Sequence, residues 1–188
     1  MPDPRFPPGR LRIIAGHLRG SRLQIPAAPG LRPTPERVRE TLFNWLAPLI
    51  EGARCLDLFA GTGALGIEAL SRGAAHCLFV ERDPALARAL TQNLARLKVG
   101  NGEVLCTDAA DWLSRPDGEA FDIAFVDPPF ADQRWDTTLA RLESAGRLKP
   151  AAWIHVEAPA TQAFAVPPSW QLHREGRAGA VRHALYRR

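Results

Sequence analysis

Residues 54–66 read RCLDLFAGTGALG, and the fold turns on how this stretch is read. Residues 54–59 form a short strand-like run. The glycines that follow, Gly61, Gly63 and Gly66, stand in G-x-G-x-x-G spacing ahead of a helical pattern over 64–73. A strand turning on glycines into a helix is the opening unit of a nucleotide-binding α/β sheet, because glycine accepts a tight turn and lets a ligand approach the backbone. The competing reading is an ordinary strand-to-helix turn, so the flanking sequence must decide.

Further strand-like runs at 77–81 (CLFVE), 103–107 (EVLCT), 121–126 (FDIAFV) and 153–158 (WIHVEA) alternate with helical patterns at 84–98, 109–114 and 134–147. This alternation predicts parallel strands joined by crossover helices. The chain ends differently: residues 170–174 and 181–186 are strand-like around GRAGA, which predicts an antiparallel hairpin at the sheet edge. Upstream, residues 11–16 and 21–26 predict a second, basic hairpin joined across HLRG. Thr34-Pro35-Glu36 then predicts a helix start, with Thr34 as N-cap and proline at the first helical position. Val38, Leu42, Trp45, Leu46 and Leu49 continue it as an apolar stripe. The expected fold is α/β, a mostly parallel seven-stranded sheet with helices on both faces plus an N-terminal β-hairpin. Residues 1–33 form a basic extension carrying the hairpin, and residues 34–188 form the main domain.

Composition bounds the function. With 188 residues, 46% hydrophobic and 23% charged, the chain has material for one sizeable core. No signal-like or membrane-spanning run is present, which implies a cytoplasmic protein. Cys55, Cys77 and Cys106 are odd in number and sit in strand-like runs, so they are expected to be buried thiols; neither they nor the five histidines show metal-ligand spacing. Charge is segregated: residues 1–40 sum to +5 and 171–188 to +4, leaving −5 in between. Arginine-rich ends suit a polyanion, and an acidic middle suits something else.

In such a sheet ligands bind beyond the carboxyl ends of the strands. Four successive ends here carry Asp57, Glu81, Asp108 and Asp127. That charge disfavours a dinucleotide's phosphates and favours a cation such as S-adenosylmethionine. The fourth end continues as Asp127-Pro128-Pro129-Phe130. Two prolines cannot continue a central strand, so they make a stiff extended segment just beyond it. Asp127 and the carbonyl of Pro128 can then accept the two N–H groups of a nucleobase amine as positive charge develops on its nitrogen. Phe130 can stack on a base flipped into the slot.

The segments RIIAGHLRGSRLQIP, LRPTPERVRETLFNWL, LDLFAGTGALGIEALSRGA and FVDPPF stand in the order found in RsmD-type bacterial 16S ribosomal RNA guanine-N2 methyltransferases, which the chain resembles over nearly its whole length. The resemblance implies a Rossmann-like class I S-adenosylmethionine-dependent methyltransferase acting on one guanine of 16S rRNA, in the small ribosomal subunit or its assembly intermediate. The expected state is a monomer without metal or membrane partner. Carried onto this chain, Asp57, Gly61, Gly63 and Gly66 would line the methionine part of the cofactor, Glu81 the ribose and Asp108 the adenine amine. Asp127, Pro128, Pro129 and Phe130 would hold the guanine. Arg12, Arg19 and Arg22 on the hairpin are candidates for RNA phosphate contacts. The alternatives are a DNA amino-methyltransferase acting on adenine N6 or cytosine N4, an NAD-dependent oxidoreductase and a noncatalytic RNA-binding module.

Overall fold

The computed structural model describes residues 9–26, 34–115 and 118–188. Strands β1 (Gly9–Arg12) and β2 (Arg22–Ile25) pair as an antiparallel hairpin. Helix α1 (Glu36–Leu46) leads into the main sheet, whose elements follow as β3 (Arg54–Asp57), α2 (Ala64–Ser71), β4 (His76–Glu81), α3 (Pro84–Arg96), β5 (Gly102–Cys106), α4 (Ala109–Leu113), β6 (Phe121–Val126), α5 (Trp135–Ser144), β7 (Leu148–Pro159), β8 (Gln171–Ala178) and β9 (Val181–Arg187). The seven strands lie in the order β5-β4-β3-β6-β7-β9-β8. Strands β3 to β7 are mutually parallel, and β9 runs antiparallel to both its neighbours.

Strand alternation splits the core into two layers. Cys55, Cys77, Phe79, Ile123 and Phe125 pack under α1, α2, α3 and the hairpin. Leu56, Val80, Ala124, Val126 and Val156 face α4 and α5 on the other side. Burial on both faces explains why the strands read as continuous apolar runs. The hairpin contributes Leu11, Ile13, Leu23 and Ile25 to the first layer, and the buried Glu68 of α2 fastens the chain that follows it. Its carboxylate accepts the N–H groups of Ile14 and Ala15 at 2.8 and 3.0 Å and pairs with Arg72 at 2.8 Å.

Several expectations change in detail. The first hairpin strand ends at Arg12 rather than residue 16, because the N–H groups of Ile14 and Ala15 turn to Glu68. Thr34 is not the cap of α1; Pro35 holds that position, and Thr34 is buried with its hydroxyl beside Glu157. Cys106 is exposed, since β5 is an edge strand, whereas Cys55 and Cys77 are buried. The C-terminal hairpin closes on Gly179 and Ala180 alone, so β8 runs on to Ala178 through most of GRAGA.

Gly66 illustrates how the glycine turn is packed. A Cβ at this position would collide with the Phe79 ring and the Cys77 sulfur, so α2 rests on β4 through the bare glycine backbone. Gly66→Ala is therefore expected to cost about 1–3 kcal/mol through overpacking, read as a lower urea midpoint, although alanine is the better helix former.

Candidate active site

The strand order reverses direction between β3 and β6: the chain runs outward from β3 through β4 to β5, then returns to place β6 on the other side of β3. A crevice opens at such a switch point beyond the strand ends, where the diverging crossovers leave the sheet uncovered. Asp57 and Asp127 flank it. Alternation also fixes the side. Leu56, Val80, Val126 and Val156 point into the α4/α5 layer, so their successors Asp57, Glu81, Asp127 and Glu157 all point to the face of α1, α2 and α3. A row of four carboxyls thus crosses the ends of β4, β3, β6 and β7.

Within the glycine turn, Gly61 and Gly63 have φ of 52° and 74°, in the left-handed region that favours glycine. Glu81 holds the turn from the next strand: its Oε2 accepts the Gly61 N–H and its Oε1 the Asp83 N–H, each at 2.7 Å. Asp57 accepts the Gly66 N–H at 3.0 Å. Burial pushes the Glu81 carboxyl up despite these donors, and pushes Asp57 up to about 7, with the Gly66 N–H opposing and the Glu81 charge reinforcing.

Register places the second pair. Val126 pairs with Val156, so Asp127 and Glu157 extend side by side from neighbouring strands about 4.8 Å apart. Burial first, then the charges of Glu157 and Asp57, raise the Asp127 carboxyl well above the usual range. Burial raises Glu157 to about 7, opposed by the Thr34 hydroxyl. Beyond Asp127, Pro128 is buried and Pro129 exposed, and Phe130 lies half-buried with its ring tilted against Trp135 at 6.0 Å. The Trp135 indole donates to the Glu157 carbonyl at 2.8 Å, which ties the start of α5 to the end of β7.

Asp108 differs from the other strand-end acids. It caps α4 through the Ala110 N–H at 2.8 Å and pairs with Arg134 at 3.0 Å. Burial raises its carboxyl, but these donors outweigh burial and hold it below the usual range. It borders a cavity of about 350 Å³ with Phe59, Leu113 and Thr138. Asp132 joins Arg82 at 2.8 Å, and Arg134 of the same segment joins Asp108, so the segment after Phe130 is strapped across to the ends of β4 and β5. In the hairpin region, Arg19 and Arg22 are exposed, while Arg12 is exposed and paired with Glu36 at 3.1 Å.

Of the residues expected from sequence, Asp57, Gly61, Gly63, Glu81 and Asp127 gather at the strand ends bordering the crevice, whereas Gly66 packs beneath them on Phe79 and Cys77. Glu157 stands outside that set, and Thr34, which the sequence allows either as a cap or as a residue reaching the crevice, lies beside it. The signal for Glu157 was a fifth strand-end acid, in WIHVEA, on the strand beside Asp127.

The raised acids have a measurable consequence. A carboxyl whose folded pKa lies above its unfolded value holds a proton that the unfolded chain has released, so stability falls as pH rises from about 4.5 to about 7. Buried His155, lowered to about 3, works in the opposite direction as pH rises toward 6.5. The difference between variants isolates the carboxyl. Glu157→Gln is expected to match the parent's stability near pH 4.5 and to gain on the order of 2 kcal/mol by pH 8, measured by urea denaturation. A gain independent of pH contradicts the assignment.

The donor set suits a cation. No opposite charge perturbs Asp57, Asp127 or Glu157 among the described residues. A sulfonium and an ammonium would supply the missing charge, and a ribose diol can bind the Glu81 carboxylate edge. Among the described residues no group of three or more His, Cys, Asp or Glu is placed to hold a metal ion, and no helix is long and apolar enough to cross a membrane.

Comparison with known proteins supplies the context. The family model described as conserved hypothetical protein 95 matches residues 11–187. The ribosomal RNA small subunit methyltransferase D of Escherichia coli (strain K12) is 50% identical over 181 residues, which span 96% of this chain and 91% of that one. The solved structure of the putative methyltransferase yhhF from Escherichia coli superposes with a TM-score of 0.89 at 47% identity, over 96% of this chain and 98% of that chain. At 14% identity and a TM-score of 0.73, the crystal structure of SMU.776, a putative methyltransferase complexed with SAH, shares the fold over 90% of this chain and 54% of its own.

Proposed function

The chain belongs to the family described as conserved hypothetical protein 95, that of the RsmD-type enzymes, and from that premise we propose how it methylates ribosomal RNA: the acidic crevice holds S-adenosylmethionine, and the Asp127-Pro128-Pro129-Phe130 clamp presents the N2 amine of one guanine of 16S rRNA to it. The chain is an S-adenosylmethionine-dependent rRNA methyltransferase, and guanine N2 is the specificity of its family. The observation that carries the reading is the pair of carboxyls without cation partners, Asp57 and Asp127, on the two sides of the switch-point crevice.

S-adenosylmethionine, when bound, supplies an electrophilic methyl group on a positively charged sulfur, to which the S–C bond pair returns as the methyl leaves. The protein's part is to hold and orient. Glu81 takes the ribose hydroxyls with its carboxylate edge while its oxygens keep the Gly61 turn in place. Asp57, Gly61 and Gly63 line the methionine part; Gly66 acts one layer below, holding α2 against β4. Asp108 reaches the adenine amine from the mouth of the α4/α5 cavity.

On the other side, the guanine N2 lone pair is delocalised into its ring and must be made available. Asp127 accepts one N2–H and the Pro128 carbonyl the other, so that both acceptors meet the charge growing on nitrogen as its bond to carbon forms. The surplus N2 proton then passes to the Asp127 carboxylate and on to water. Burial disfavours the ionised form that this requires, and a cation in the crevice restores it. Phe130, half-buried at the rim, offers its face to the flipped base. Arg12, Arg19 and Arg22 reach RNA phosphates from the hairpin, in an assembling small subunit in the cytoplasm.

The acidic row argues against a nicotinamide dinucleotide, whose phosphates would meet carboxyls already resisting ionisation. The decisive experiment is transfer of labelled methyl from S-adenosylmethionine to small subunits from cells lacking the enzyme. Label in the RNA is the expected result. RNA binding without transfer would leave the noncatalytic module, and tighter binding of NADH than of S-adenosylmethionine would leave the oxidoreductase.

A further inference from the structure

Glu157 has no task in the mechanism above, yet its setting is that of a ligand-binding group. It is 3% exposed, and its Oε2 has no hydrogen-bond partner among the described residues. A carboxylate removed from water without a cation or a full set of donors is costly, so a fold that keeps one there needs an occupant to complete it. Its neighbours define what that occupant meets. Asp127 stands beside it in register on the next strand, both on the α1 face, and the Thr34 hydroxyl approaches from the chain leading into α1. A hydroxyl at a carboxylate occupies the place of a ligand N–H.

We propose that Glu157 is the second acceptor of the base slot, taking the N1–H of guanine while Asp127 takes an N2–H, and so selects guanine over the other amino-bearing bases. The inference rests on the methyltransferase reading above and deepens it. Guanine alone among the standard bases carries a ring N–H directly beside its exocyclic amine; adenine and cytosine carry a ring lone pair there. Two adjacent carboxyls accept two adjacent donors. Set against adenine or cytosine, the ionised Glu157 carboxylate would face a lone pair instead, and a buried acceptor opposite an acceptor discriminates far more strongly than a missing methyl contact can. As the base enters, its N1–H replaces the Thr34 hydroxyl.

The test uses 2-aminopurine, which keeps the amine next to a ring nitrogen but lacks the N1–H. The methylated guanosine is first located by mass spectrometry. 16S rRNA carrying 2-aminopurine at that position is then made by splinted ligation and assembled into subunits. At pH 8, where Glu157 is ionised, the full-length enzyme is expected to prefer guanine by about 10²-fold or more in kcat/KM. Glu157→Gln, whose amide can donate to the bare ring nitrogen, is expected to reduce the preference below about 10-fold while its affinity for S-adenosylhomocysteine stays within a few-fold of the parent's. Equal rates on the two bases with the parent enzyme overturn the proposal, and that comparison stands even if the variant fails to fold. A variant that loses both rates equally, with the preference unchanged, overturns it too and leaves Glu157 as a group acting only through Asp127. Absence of methyl transfer to guanine by the parent enzyme overturns the methyltransferase reading instead.

Discussion

Asp127→Ala is expected to lower kcat by about 10³-fold or more while leaving the dissociation constant of S-adenosylhomocysteine within a few-fold of the parent value. The split follows from position. Asp127 extends from β6 on the side of the crevice toward β7, whereas the glycine turn and Glu81 lie on the β3/β4 side, so removing it takes an acceptor from the amine and nothing from the ribose. The fold should survive, because no hydrogen bond to the Asp127 carboxyl and no cation partner for it occurs among the described residues. Burial and two like charges oppose its ionisation, so the alanine variant should equal or exceed the parent in thermal stability at pH 8. Loss of turnover accompanied by loss of stability would assign Asp127 a structural role instead. Asp127→Asn sharpens the point: it keeps an acceptor but cannot take a proton, so its residual rate measures how much of the effect is orientation and how much proton acceptance.

Glu81→Ala is expected to show the reverse pattern, with the dissociation constant of S-adenosylhomocysteine rising by about 10²-fold. Two contributions add. The ribose loses its carboxylate, and the N–H groups of Gly61 and Asp83 lose the acceptor that holds the turn open at the crevice. Glu81→Gln separates them, since the amide oxygen still accepts one of the two N–H groups. Its binding should fall between parent and alanine variant, as titration calorimetry can read. Binding unchanged in Glu81→Ala would move the ribose elsewhere in the crevice.

The physical reasons why some of this was legible in sequence, and some not, lie in the spacing of the effects. Periodicity and turn chemistry act within a few residues, so the strand-glycine-helix unit at 54–71, the alternation after it and the strand-end acids could be read directly. What escaped depended on partners far along the chain. Ile14 and Ala15 look like strand until Glu68, more than 50 residues away, takes their N–H groups. Thr34 has the composition of a cap, and only the approach of α1 to the end of β7 gives its hydroxyl to Glu157. Cys106 resembles the buried Cys55 and Cys77 in local pattern; its exposure follows from β5 lying at the edge of the sheet. Glu157 lies inside an apolar run as a lone acid, and its meaning comes from the β6–β7 register that sets it beside Asp127.

The same contrast appears among the carboxyls. In sequence Asp57, Glu81, Asp108 and Asp127 are four equivalent acids at strand ends. In the structure Asp108 is stabilised as an anion by the Ala110 N–H and Arg134, while the other three are pushed toward neutrality by burial. The crevice therefore has a settled negative end at the β5 side and a reluctant, proton-holding end toward β7. That gradient fits a ligand whose adenine end needs only an acceptor and whose reacting end brings its own positive charge.

The most direct measurement is nucleoside analysis of the RNA after reaction. Immature small subunits from cells lacking the enzyme, incubated with the protein and S-adenosylmethionine, are digested to nucleosides and resolved by mass spectrometry. N2-methylguanosine as the sole new nucleoside is the expected result. N6-methyladenosine, N4-methylcytidine or no new nucleoside would contradict a slot built from two carboxyls for the guanine edge.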